Sequence, residues 1–76
     1  MLEKFKKFAN ENGLVFSYRI DKTYDAHRFI FTNPVTCERF SYMIHTPELQ
    51  AHKRNDIQSF IEFILDNARK LIKKEK

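Results

Sequence analysis

The sequence predicts a two-layer α+β domain in the order helix, three-stranded antiparallel meander, helix (αβββα), with both helices on one face of the sheet. Three observations predict it. Residues 2–12 and 55–74 repeat apolar side chains at helical spacing. Residues 14–45 hold three runs of strand character joined by short polar turns. The chain has only 76 residues, enough for a single domain. A sheet with one strongly apolar face and two amphipathic helices bury each apolar surface once when stacked in two layers.

The first helix spans 2–12. Leu2, Phe5, Phe8 and Ala9 share a face, while Lys4, Lys7 and Glu11 fall largely outside it. Gly13, the only glycine, follows as a natural left-handed stop. The first strand, 14–20, alternates: Leu14, Phe16, Tyr18 and Ile20 face inward, Val15, Ser17 and Arg19 outward. Asp21 to Asp25 form a polar turn. The second strand, 26–32, puts Phe29 and Phe31 inside and Arg28 and Ile30 outside. Asn33-Pro34 breaks it, and the turn runs to about Cys37. The third strand, 38–45, puts Phe40, Tyr42 and Ile44 inside, and Arg39, Ser41, Met43 and His45 outside.

Thr46-Pro47-Glu48 is a helix-start signature, but only Leu49 and Ala51 follow as apolar residues. A short helical turn is expected at 47–52, with one continuous helix from Pro47 as the alternative. The long helix is expected over 55–74, capped by Asn55 with Gln58 completing a capping-box-like pattern. Its apolar face carries Ile57, Phe60, Ile61, Ile64, Leu65, Ala68, Leu71 and Ile72.

Composition narrows the setting. A chain of this size buries only about 60% of its unfolded surface, so stability must come from dense packing or self-association. Eight Phe and three Tyr favour packing. The single cysteine allows no internal disulfide and suits a reducing, cytoplasmic compartment. The early charges Glu3, Lys4, Lys6 and Lys7 are unlike a signal peptide. No apolar run approaches the roughly 20 residues of a membrane span. The net charge of +4 is concentrated at the end, where Arg69, Lys70, Lys73, Lys74 and Lys76 stand against Glu75 alone. The rest of the chain is neutral, which argues against a nucleic-acid-binding role for the domain as a whole.

No catalytic constellation emerges. Cys37 could have His27 and His45 of the strands as neighbours but lies in or beside a turn with no third orienting group, and it reads as a small apolar filler there. His27, His45 and His52 lie in three different elements, away from metal-ligand spacing. There is no glycine-rich phosphate loop. The expectation is therefore a non-enzymatic protein with no cofactor and no small-molecule substrate.

The surfaces are more informative. The outer sheet face should carry an apolar strip of Val15, Ile30 and Met43 ringed by Arg19, Arg28 and Arg39. In one register Arg19 lies opposite Arg28, a like-charge pair that an anion or an acidic partner would relieve. At about 100° per residue, Phe63 points away from the core stripe of the last helix. It is either covered by Leu49 or an anchor for a partner. His52, Lys53 and Arg54 precede that helix, and a basic cluster ends it, where cations complement the helix dipole.

The element order resembles the double-stranded-RNA-binding domain, which is also helix, three antiparallel strands, helix. The resemblance covers nearly the whole chain in topology. That family carries a lysine cluster at the start of its second helix, near which this chain has Lys53 and Arg54, while its characteristic first hairpin loop has no match in Asp21 to Asp25, which is acidic at both ends. Small phage accessory and anti-CRISPR proteins share the same order. Two functions follow as expectations. The first is an interaction module for a protein partner or a second copy, using Val15, Arg19, Arg28, Ile30, Arg39, Met43 and Phe63. The second is nucleic-acid binding through Arg19, Arg28, Arg39, Lys53 and Arg54.

Overall fold

A computed structural model of the chain describes residues 1–72. The elements are α1 (Leu2–Glu11), β1 (Val15–Asp21), β2 (Ala26–Thr32), β3 (Arg39–His45), α2 (Thr46–Asn55) and α3 (Ile57–Arg69). The strands form one antiparallel sheet in the order β1-β2-β3. The helices pack on one of its faces, so the α+β meander expected from the sequence is the fold.

Alternation along the strands sends Phe16, Tyr18, Phe29, Phe31, Phe40, Tyr42 and Ile44 toward the helices. There they meet Phe5 and Ala9 of α1, Leu49 of α2, and Phe60, Ile61, Ile64 and Ala68 of α3. Phe5 is fully buried, with the Phe29 and Phe31 rings at 5.5 and 5.9 Å in edge-on geometry. Such aromatic pairs contribute beyond the area they bury. Gly13 adopts φ +69° and ends α1, and the Leu14 amide returns to the Ala9 carbonyl at 2.9 Å.

Both hairpins are built on one frame. Asp21 Oδ1 accepts from the amides of Thr23 and Tyr24, and Asn33 Oδ1 accepts from those of Val35 and Thr36. Four residues after each side chain the backbone turns left-handed, at Asp25 (φ 52°) and at Cys37 (φ 67°). Asn33 is also buried, and its Nδ2 donates to the Leu71 carbonyl at 2.8 Å beyond the end of α3.

Four expectations are corrected. Ile20, expected inside, is 58% exposed near the end of the edge strand β1. Cys37 is exposed at a hairpin tip and fills nothing. The short turn at 47–52 is a ten-residue helix, α2, separated from α3 at Asp56. The cap of α3 is Asp56 with Ser59, one residue later than Asn55 with Gln58: Asp56 Oδ1 accepts from the Ser59 amide (3.2 Å) and Oδ2 from its hydroxyl (2.7 Å). Helix α3 ends at Arg69. The expected extension through 73 and 74, and the charges of Lys73, Lys74, Glu75 and Lys76, lie outside the described residues.

Candidate functional site on the outer sheet face

The register places Arg19 directly opposite Arg28, and Arg28 opposite Met43. The neighbouring rungs are Ser17–Ile30–Ser41 and Val15–Thr32–Arg39. Val15, Ile30 and Met43 therefore step diagonally across the three strands. Val15 is 54% and Met43 44% exposed, and Ile30 is half-buried. Arg39 and Arg19 stand at the two corners on either side of this diagonal, and Arg28 lies between Arg19 and Met43 on the last rung.

The charge on this face is one-sided. Asp21 is the one acid that strand alternation puts there, and its carboxylate already accepts the two turn amides. Among the described residues, no ion pair reaches Arg19, Arg28 or Arg39. A guanidinium N–H of Arg28 instead lies 3.7 Å from the Met43 sulfur, so its charge is carried from β2 toward β3. Arg19, Ile20, Asp21, Lys22 and Arg28 line a shallow hollow of about 280 Å³ at this end of the sheet.

The other predicted residues lie elsewhere. Phe63 belongs to the helical layer and is 45% exposed. Its neighbour is Tyr42, at 5.3 Å between ring centroids, whereas Leu49 is buried in the core. Tyr42, His52, Ser59, Phe60 and Phe63 line a groove of about 250 Å³ beside β3. Lys53 and Arg54 end α2, in the layer opposite the sheet arginines. The structure thus unites Val15, Arg19, Arg28, Ile30, Arg39 and Met43 on one face and separates Phe63, Lys53 and Arg54 from it.

One polar cluster is absent from the sequence reading. The Tyr18 hydroxyl lies 2.6 Å from His27 Nδ1, and His27 Nε2 lies 3.1 Å from Thr46 Oγ1. The Thr46 hydroxyl is 2.9 Å from Asp25 Oδ1, and its amide donates to the Asp25 carbonyl. Every member is satisfied when Tyr18 donates to Nδ1, Nε2–H donates to Thr46, and Thr46 donates to Asp25. The hydroxyl proton of Thr46 is then committed to a carboxylate, so the chain of bonds ties β1 and β2 to the start of α2. The available signal was His27 at inward strand parity, a polar group that burial obliges to find partners. Among the described residues, no group of three His, Cys, Asp or Glu is placed to hold a metal ion, and no helix is long and apolar enough to cross a membrane.

Compared with known proteins, the chain matches no family model, no curated protein and no solved structure.

Proposed function

We propose that this domain is a non-enzymatic, cytoplasmic interaction module whose outer sheet face binds an acidic surface of a protein partner. The observation that carries the reading is the Arg19–Arg28–Met43 rung, with Arg39 across the diagonal and no ion pair to any of the three arginines among the described residues. Like charges directly opposite in a sheet are unfavourable, and an anionic partner removes that cost. The strip of Val15, Ile30 and Met43 favours a protein over a nucleic-acid backbone, which offers phosphates but little apolar surface. A second copy would bring the same three arginines against themselves, which favours a partner of opposite sign.

Titration with poly-glutamate tests the reading, followed by fluorescence anisotropy. Replacing Arg19, Arg28 and Arg39 together by glutamate is expected to weaken binding at least about tenfold, or about 1.4 kcal/mol. Equal affinity in the wild type and the triple variant would sink the proposal. Tighter binding of duplex RNA or DNA, falling steeply with salt, would assign the face to nucleic acid instead.

A further inference from the structure

We infer that the acidic partner presents an extended segment that adds to the sheet as a fourth strand along β3, with acidic side chains on one face and apolar ones on the other. This rests on the outer-face reading and specifies the form of the partner. The first support is the backbone. Hydrogen bonds from the Asn33 amide to the Glu38 carbonyl and from the Thr46 amide to the Asp25 carbonyl bracket the β2–β3 ladder. Bonded and non-bonded pairs alternate in an antiparallel ladder, so the pairs 31–40, 29–42 and 27–44 are the bonded ones. The N–H and C=O groups of Arg39, Ser41 and Met43 therefore point away from β2, at an edge with no neighbouring strand among the described residues. Such a row of groups is a template for another strand.

The second support is what flanks that edge. On the outer side stand Arg39 and the Arg28 guanidinium, which lies against Met43 and so reaches toward the edge. On the inner side lies the groove of Tyr42, His52, Ser59, Phe60 and Phe63, with no Lys, Arg, Asp or Glu in its lining. An added strand sends alternate side chains to these two sides. The opposite edge is unlike it: the hollow beside β1 is lined by Lys6 and Lys7, charges of the kind that guard a free edge.

The test uses a short synthetic peptide alternating glutamate and valine, with a lysine–valine peptide of equal length as control, and amide hydrogen exchange as the readout. The glutamate–valine peptide is expected to slow exchange of the Ser41 and Met43 amides at least about tenfold. Ser41→Pro should abolish that protection, since it deletes an outward N–H and no bond to β2. Phe63→Glu, at a half-exposed position, should weaken binding by a separate route and serves if the proline variant does not fold. Binding without protection at Ser41 and Met43 would overturn the strand-addition inference and leave the outer-face proposal standing. Equal protection by the lysine–valine peptide or by duplex RNA would overturn both this inference and the outer-face proposal, because the first carries no acid and the second is no strand. Protection that arises without peptide as the protein dimerises would also overturn the strand-addition inference, because the edge would then belong to a second copy.

Discussion

Asp25 and Cys37 share a backbone conformation and differ in what their side chains return for it. Left-handed torsions cost an L-residue roughly 1–2 kcal/mol, somewhat less for Asp, and glycine is free of the penalty. Cys37 is exposed, and its side chain adds no bond that offsets the torsion. Cys37→Gly should therefore raise stability by about 0.5–1 kcal/mol, seen as a higher urea midpoint. Asp25 holds the Thr46 hydroxyl on its carboxylate, so Asp25→Gly relieves the same torsion but should lower the midpoint. The sequence shows the frame behind both residues, an Asx side chain followed four positions later by the left-handed residue: Asp21 with Asp25, and Asn33 with Cys37. Reading Cys37 by its average burial misses the frame, because the hairpin and not the thiol decides where the residue stands. The face of Arg19 and Arg28 was legible from alternation, but their pairing was one register among others until the structure set β1 and β2 around the four residues 22–25. Phe63 was legible only as outward-pointing, since its contact with Tyr42 depends on how α3 lies across β3.

The helices divide by how strongly their patterns speak. α1 and α3 carry continuous apolar stripes, and both were placed closely at their N-terminal ends. α2 buries Leu49 alone, so periodicity could not outline it. Its length is set by packing against α3 and β3 and by the break at Asp56. That break has a titratable lock. The Ser59 hydroxyl, and then its amide, bond the Asp56 carboxylate and hold its pKa below the ordinary value of 3.8. A carboxyl whose pKa is lower folded than unfolded stabilises the fold above its unfolded value, and the contribution fades as pH falls through the folded value. The cap should therefore be fully effective at neutral pH and lost only in acid below about pH 4. Asp56→Asn, which keeps a capping oxygen, should shallow the loss of α3 helicity in that range, as circular dichroism would show. An unchanged acid profile would mean that the carboxylate does not govern the junction.

At the scale of the molecule, element order, face assignment and most of the core were readable because nearly every large apolar residue has a place in one two-layer stack. The proposed binding face was readable as what that stack leaves over. Its reach toward β3 was not, since the bend of Arg28 over Met43 is a matter of side-chain geometry. A single small core also makes the domain vulnerable. At roughly 0.05–0.15 kcal/mol per residue, its total stability is about 4–11 kcal/mol. Phe29→Ala removes a fully buried ring and should cost about 3–5 kcal/mol, lowering the melting temperature by at least about 12 °C by circular dichroism. Near-native melting would show that the aromatic cluster repacks. The exposed thiol has a practical consequence. Cys37 is the only cysteine, and it stands two residues before Arg39, at the head of the free edge. A thiol-reactive dye attached there labels the unaltered chain at one defined point beside the edge, so an arriving strand can be followed by fluorescence. Mild oxidation can likewise link two molecules tip to tip through this sulfur, and a reducing agent would part them while leaving a strand-paired dimer intact.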